Sequence, residues 1–109
     1  MKSARLEDMD GGWFVGHFLP SALHSAEAEV AVKHYRAGSL ESPHLHKVAT
    51  EVTLVLSGSV RMIGHVWNAG DIIVLEPGEP TGFEAIEDSV TVVVKTPSVR
   101  GDKYPVASS

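Results

Sequence analysis

Between residues 38 and 58 the chain reads GSLESPHLHKVATEVTLVLSG. His44 and His46 stand one residue apart, and residues i and i+2 of an extended chain point to the same side. Both imidazoles can therefore face one ion. Simple alternation sends Glu51 to the opposite side, so it joins the pair only if the chain bends within residues 47–50. Two imidazoles and one carboxylate form the facial ligand set that Fe(II) favours and that Mn, Ni, Co and Zn also accept.

The spacing of the whole stretch is more specific than a single His-x-His pair. Five residues separate the first glycine from the first histidine, four separate the second histidine from the glutamate, and six separate the glutamate from the last glycine. This pattern resembles the first motif of the cupin family at every fixed position. The matching residues are Gly38, His44, His46, Glu51 and Gly58.

A second stretch resembles the second cupin motif. Residues 70–80 read GDIIVLEPGEP and are similar to the family's Gly-Asp pair, aliphatic run and Pro-Pro-Gly-x-Pro ending. Two positions depart from that pattern: Glu76 replaces the first proline, and Thr81 stands where the family usually has a third metal-binding histidine. A hydroxyl is a poor ligand beside imidazole, so the fourth ligand is left open between Glu76, Glu84 and water.

The rest of the chain reads as short strands separated by Gly and Pro turns, without a convincing helix. We predict eight strands, at residues 12–18, 30–35, 52–56, 60–63, 65–67, 72–75, 82–86 and 90–95. This pattern favours a sandwich or barrel. The cupin resemblance implies an all-β fold, a double-stranded β-helix (jelly-roll) barrel of two antiparallel sheets.

We expect a single domain over residues 1–109, with the barrel at about 12–96. The polar tail at 97–109 is expected to be loose or to pack on a partner subunit. Within it, Arg100-Gly101-Asp102 is expected to form a surface turn.

Composition excludes several classes of function. Nine Lys and Arg residues stand against 14 Asp and Glu, which gives a net charge of −5 and disfavours nucleic acid. The longest aliphatic run, residues 72–75, is far too short to cross a membrane. Residues 1–8 lack the apolar core of a secretory signal, so we expect a cytoplasmic protein. The absence of cysteine excludes disulfides and thiolate ligands and restricts any ion to nitrogen and oxygen donors.

The other four histidines have simpler explanations than metal binding. His34 lies on a predicted strand and is expected to be a satisfied barrel residue or a surface group. His65 follows Gly64 and is expected in a hairpin turn. His17 and His24 show no partner spacing.

Two functions from different classes follow from these residues. In the first, His44, His46 and Glu51 hold a divalent transition metal, and the barrel acts on a small polar molecule as a dioxygenase or an isomerase. In the second, the barrel binds a small molecule such as a sugar without turnover, which the missing third histidine favours somewhat. No catalytic residue beyond the metal ligands is predicted. The resemblance also implies a homodimer, because pairing would cover exposed sheet edges.

Overall fold

A computed structural model describes residues 1–106 and shows that this part of the chain is almost entirely β-structure. One 3-10 turn, Leu6–Asp8, precedes the strands. The eleven strands within the described residues are β1 (Trp13–Gly16), β2 (Leu23–His24), β3 (Glu29–Tyr35), β4 (Leu40–Leu45), β5 (Thr50–Ser57), β6 (Ser59–Met62), β7 (His65–Asn68), β8 (Ile72–Leu75), β9 (Thr81–Ala85), β10 (Ser89–Thr96) and β11 (Tyr104–Pro105).

The strands form two sheets that make up a jelly-roll barrel. One sheet has the order β2-β1-β3-β10-β5-β8, and the other has the order β11-β4-β9-β6-β7. Every neighbouring pair is antiparallel except β1 and β2, which are parallel. The two longest strands, β5 and β10, lie next to each other inside the first sheet and are rich in Val and Thr, residues that favour strands. The predicted all-β fold of two sheets is confirmed.

All eight predicted strands are present, and the structure adds β2, β4 and β11. β2 and β11 are only two residues long and have no pattern of their own to detect. β4 contains Ser42 and Pro43, which interrupt a strand pattern, and its pairing with β9 shifts register between Glu41 and His44.

The hairpin between β6 and β7 corrects one prediction. Ile63 and Gly64 are its two turn residues, with φ of 54° and 71°, which is the geometry of a type I′ turn. Met62 pairs directly with His65, so His65 is the first residue of β7 and not part of the turn. The left-handed glycine of this hairpin is confirmed.

The last glycine of the first motif is required by its surroundings. Gly58 lies between β5 and β6 with φ of +86°, a conformation that residues with a side chain rarely adopt. An added Cβ would stand 2.8 Å from Cα of Ser89 and still closer to the Asp88 carbonyl. Glycine at this position therefore lets β10 approach the end of β5.

The apolar core lies between β5, β6 and β8. Trp67 and Phe83 pack against it, and its buried members are Val55, Val60, Met62, Ile73 and Leu75. This cluster fills only part of the barrel interior, which leaves room for a cavity.

The two faces of the sheet formed by β3, β10, β5 and β8 have different chemistry. Strand register aligns two outward rows of aliphatic side chains, Val32-Val92-Leu54-Ile72 and Val30-Val94-Val52-Val74. The register of the inward face aligns Glu29, Lys95 and Glu51 in one row. The inward face therefore carries charged side chains beside the apolar core residues Val55, Ile73 and Leu75, whereas the two outward rows are entirely aliphatic.

The described part of the C-terminal segment packs against the same chain and is therefore not loose, which was one of the two alternatives expected for the tail. The Ser98 amide donates to the Ala26 carbonyl at 3.0 Å, β11 pairs with β4, and the Val106 amide donates to the Pro43 carbonyl at 3.1 Å. Arg100 and Gly101 do form a turn, but Asp102 is buried, with 7% of its surface exposed. The predicted tail extends to residue 109, and residues 107–109 lie outside the described part.

Within residues 1–106, no helix has the length and apolar character needed to cross a membrane.

Candidate functional site

A cavity of about 430 Å³ opens between the two sheets. Its walls come from β1, β3, β4, β5, β9 and β10 and from the segment at 97–103. All three predicted metal-ligating residues, His44, His46 and Glu51, line it. The cavity is of the size that binds small molecules in other proteins.

The two histidines of the first motif lie side by side, as their spacing predicts. His44 is on β4, and His46 follows the end of that strand. Their ring centroids are 5.3 Å apart and the ring planes are nearly perpendicular. His46 is buried, with 6% of its surface exposed, whereas His44 is half-buried. The two rings therefore present nitrogen atoms to the same cavity at different depths.

Both histidines use Nδ1 to contact a backbone carbonyl. His44 Nδ1 lies 3.1 Å from the Ser42 carbonyl, and His46 Nδ1 makes a short contact with the Asp102 carbonyl. A carbonyl only accepts hydrogen bonds, so each Nδ1 carries the proton, and the neutral ring has its lone pair on Nε2. His46 Nε2 is buried without a hydrogen-bond partner among the described residues.

Glu51 reaches this side of the chain because of a bend. β4 ends at Leu45, residues 47 and 48 form the bend, and β5 begins at Thr50. Because the chain changes direction here, the side-chain alternation of an extended strand does not continue to Glu51, and Glu51 lies on the same side as the two histidines. Its Oε2 lies 3.8 Å from His46 Nε2, and its side chain is largely buried.

Asp102 holds the bend in place from the far end of the chain. Its carboxylate accepts hydrogen bonds from the amides of Lys47, Val48 and Ala49, at 2.8 to 3.3 Å. Its own carbonyl is the partner of His46 Nδ1. Asp102 therefore positions both the His46 ring and the loop that leads to Glu51.

The charge state of Asp102 suits this role. Burial by itself would raise the pKa of the Asp102 carboxyl, but the three amide hydrogen bonds and the nearby His46 lower it. The net result is a pKa below its ordinary value of 3.8. The carboxylate is therefore ionised at neutral pH and accepts all of these hydrogen bonds.

The second motif also supports His46. Gly78 adopts a φ of +89° in the turn after β8, and its amide donates to the His46 carbonyl at 2.7 Å. The turn residues of the second motif thus fix the backbone of a residue in the first motif.

The residues considered for a fourth ligand do not reach the ion-facing atoms. Thr81 lines the cavity opposite His44, but its hydroxyl accepts from the Ile63 amide at 3.0 Å and donates to the Gly82 carbonyl at 2.7 Å. Glu84 pairs with Arg61 at 3.3 Å on the exposed side. Glu76 is exposed and accepts from the Thr50 hydroxyl at 3.4 Å. Water is the remaining candidate.

A pair of side chains that the sequence analysis did not single out also faces the cavity. The Tyr35 hydroxyl donates to Glu41 Oε1 at 2.8 Å, and the Tyr35 ring packs on Phe83 with centroids 4.3 Å apart. Burial raises the pKa of Tyr35, and the charges of Glu41 and Glu51 and the hydrogen bond to Glu41 raise it further. Tyr35 therefore stays protonated and acts as a hydrogen-bond donor. Polar residues at 29, 33 and 35 of β3 were the available signal for this face.

The two imidazoles and the carboxylate suit a divalent transition metal, but they are spaced more widely than the ligands of a bound ion. Ligands about 2.1 Å from one ion, at right-angled to tetrahedral angles, lie about 3.0–3.4 Å apart. The 3.8 Å between His46 Nε2 and Glu51 Oε2 is somewhat wider than that. Within residues 1–106, no three His, Asp or Glu side chains are grouped closely enough to hold an ion as they stand.

No protein-family model and no curated protein sequence matches the chain. Similarity appears at the level of structure. An uncharacterised protein with a double-stranded β-helix domain from Klebsiella pneumoniae is 25% identical, with a TM-score of 0.68, and the match covers 77% of this chain and 74% of that one. An RmlC-like cupin from Shewanella frigidimarina is 22% identical with a TM-score of 0.61, covering 71% of each chain.

A sugar phosphate isomerase of the cupin superfamily from Silicibacter pomeroyi is also similar. It is 22% identical with a TM-score of 0.58, and the match covers 64% of this chain and 50% of that one. The barrel of two sheets and the likeness to these structures agree with the motif around His44 and His46. The chain has the double-stranded β-helix fold that these structures share.

Proposed function

We propose that this cupin barrel binds a divalent transition metal through His44, His46 and Glu51 and acts on a small polar molecule in its cavity, as an isomerase or a dioxygenase. The observation that carries the proposal is His46 Nε2, which is buried, has no partner among residues 1–106 and faces a carboxylate 3.8 Å away. Leaving a buried polar atom unpaired costs free energy, and a metal ion would satisfy it.

The backbone contacts of both histidines support the same proposal. A metal-binding histidine usually donates its other ring N–H to a carbonyl or carboxylate, which fixes the tautomer and the ring orientation. His44 does this with the Ser42 carbonyl and His46 with the Asp102 carbonyl. Two such contacts leave two Nε2 lone pairs free for the cavity.

The protein's own contribution to chemistry would be binding, orientation and exclusion of water. A divalent ion supplies Lewis acidity toward an oxygen of the small molecule. The Tyr35 hydroxyl, held by Glu41, is a neutral donor in the same cavity. The Tyr35 and Phe83 rings offer flat apolar surface against which a small molecule packs.

A second candidate is a barrel that binds a small molecule without metal or turnover. The open spacing of His44, His46 and Glu51 and the engaged hydroxyl of Thr81 favour this candidate. In that case His46 Nε2 would accept a hydrogen bond from the ligand.

Metal analysis distinguishes the two. Protein purified without an affinity tag, loaded in turn with Fe(II), Mn, Co, Ni and Zn and then desalted, is expected to retain close to one equivalent of at least one of them. His44→Ala with His46→Ala should abolish retention, and Glu51→Gln should weaken it by about tenfold or more, because each removes a donor from the ion.

His65→Ala is the matched control, since His65 is exposed on β7 and away from the cavity lining. Retained metal in the double variant, or no metal in the loaded wild type, would overturn the metal site. With metal bound, conversion of some member of a panel of small carbonyl compounds and sugar phosphates supports an enzyme, whereas binding without conversion supports the second candidate.

We also propose that the barrel forms a homodimer through the outward rows on β3, β10, β5 and β8. These eight aliphatic side chains include Ile72, which is 62% exposed. A two-fold interface places the same surface on both sides, so it must be complementary to itself. An uncharged face meets this condition in a chain of net charge −5, because it brings no like charges together.

Ile72→Glu tests the dimer because it adds a charge to that face without entering the core. Val66→Glu, on an equally apolar but separate exposed position of β7, is the control. Sedimentation analysis should show a dimer for the wild type and the control and a monomer for Ile72→Glu. A wild type that stays monomeric as the protein concentration is raised, or a dimer that Ile72→Glu leaves intact, would contradict the proposal.

A further inference from the structure

The inner face of β3 carries an ammonium group that has no anionic partner within the described residues 1–106. Lys33 lines the cavity and is half-buried. Among residues 1–106 it forms no ion pair within 4.0 Å. Lys95, the other lysine in this part of the cavity, lies 3.5 Å from Glu29. One of the two lysines is therefore neutralised by the protein and the other is not.

Three of the acidic side chains that line the cavity already have donors. Glu29 contacts Lys95 and accepts from the Ser98 hydroxyl at 2.7 Å, and Glu41 accepts from Tyr35. The carboxylate of Asp102 is occupied by three backbone amides. These three carboxylates therefore have donors already, and the other two that line the cavity, Asp10 and Glu51, form no ion pair with Lys33 within 4.0 Å among residues 1–106.

An aromatic wall lies next to Lys33. Its Nζ is 5.6 Å from the centroid of Trp13 and 6.0 Å from that of Tyr35, and Lys95 Nζ is 4.9 Å from the same Trp13 ring. Contact with ring faces stabilises an ammonium group but gives it no hydrogen-bond acceptor. The strongest acceptor for a lysine is a carboxylate or another anionic oxygen group.

We infer that Lys33 binds the carboxylate of a small carboxylic acid and that the cavity selects this class of ligand. The inference rests on the proposed function, because it needs the cavity to bind a small molecule. The carboxylate is held by Lys33, the body of the acid lies along Trp13 and Tyr35, and its far end points into the rest of the cavity. The position of Lys33 thus sets the orientation of the bound acid.

The test compares matched pairs of small molecules that differ in charge. Benzoate and benzamide, and acetate and acetamide, are titrated into the metal-free protein and followed by protein NMR shifts. Each carboxylate is expected to bind at least about tenfold more tightly than its amide, since a charged acceptor strengthens the contact with Lys33. Lys33→Met should remove this preference, and Lys33→Arg should keep much of it.

Lys2→Met is the control, because Lys2 is exposed in the N-terminal segment and does not line this cavity. Equal binding of acid and amide to the wild type, or an unchanged preference in Lys33→Met, would overturn the inference. Metal retention is measured separately on the same samples. Carboxylate selectivity without metal binding would support the role of Lys33 and contradict the metal site. Metal binding without selectivity would support the metal site and contradict the role of Lys33.

Discussion

The two faces of the β3-β10-β5-β8 sheet follow opposite rules. Antiparallel sheets with one covered face usually place apolar side chains inward and polar side chains toward water. Here the outward rows are aliphatic, and the inward face aligns Glu29, Lys95 and Glu51. A barrel that only had to fold would not need inward charges. The difference agrees with the two proposals, a small molecule bound in the interior and a partner subunit on the outer face.

Ile72 and Ile73 give the largest expected contrast, because they are neighbours on β8 that face opposite ways. Ile73 is 4% exposed and belongs to the apolar core, whereas Ile72 is 62% exposed. Ile73→Ala should lower the free energy of unfolding by about 3 kcal/mol, since it leaves a cavity. Ile72→Ala should change it by no more than about 0.5 kcal/mol. Urea denaturation at low micromolar concentration measures both.

If the dimer forms as proposed, the cost of Ile72→Ala should grow with protein concentration, while that of Ile73→Ala should not. Equal costs for the two substitutions in dilute protein would show that the outward and inward faces do not differ as described.

Substitution of Asp102 should have the next largest effect on the free energy of unfolding, because this residue joins the C-terminal segment to the inward face. Asp102→Asn should cost about 2 kcal/mol at pH 7, since it removes the charge that three backbone amides contact. The pKa of this carboxyl is lower in the folded state than its ordinary 3.8. Its stabilisation is therefore complete above about pH 4 and is lost as the pH falls through the folded pKa.

Urea midpoints at pH 7, 5, 4 and 3 (values chosen around the ordinary carboxyl pKa of about 3.9) check this prediction. The difference between wild type and Asp102→Asn should stay constant at the two higher values and shrink at the lowest. A difference that does not depend on pH would assign Asp102 a packing role only. If the metal site is as proposed, metal retention should also fall in this variant, because the bend before Glu51 loses its support while the backbone carbonyl that contacts His46 Nδ1 is kept.

Of the three sites, substitution of Tyr35 should have the smallest effect on the free energy of unfolding. Tyr35→Phe should cost about 1 kcal/mol at pH 7, through loss of the hydrogen bond to Glu41. The pKa of Tyr35 is raised above its ordinary 10.0 in the folded state. Its stabilisation is therefore complete below pH 10.0 and declines at higher pH, where the unfolded tyrosine ionises and the folded one does not.

Alkaline unfolding curves between pH 9 and 12 (a range around the tyrosine pKa of about 10) test this. The Tyr35→Phe variant should lose less stability above pH 10 than the wild type. Tyr104 is exposed on β11, so Tyr104→Phe is the control and should follow the wild type. Parallel curves for all three proteins would contradict a buried, charge-facing Tyr35.

Local patterns carried much of the prediction. The His44-x-His46 spacing places two rings on one side because alternation is a property of any extended chain. Glycines at the ends of the motifs mark turns for an equally local reason: Gly58 and Gly64 adopt positive φ where other residues would be strained. The strand pattern and the cupin resemblance together were enough to predict the barrel.

Three features of the site could not be read from local patterns. Glu51 depends on a bend whose hydrogen bonds come from Asp102, more than fifty residues later. Thr81 could be judged a poor ligand by its chemistry, but only the structure shows that its hydroxyl is already engaged. The register places Glu29 opposite Lys95, and this decides that Lys95 has an anionic partner among residues 1–106 while Lys33 has none.

The sequence by itself determined the class of fold, the two histidines and the nitrogen and oxygen donors to which any ion is restricted, because these follow from residue type and short spacing. The tertiary structure alone decided that charged side chains lie inside the barrel beside the apolar core, that Asp102 anchors His46 and that Lys33 has no carboxylate within 4.0 Å among residues 1–106. Those properties depend on register and burial between strands far apart in the chain. Contacts of that kind form only when the sheets pack together, so no short stretch of sequence contains them.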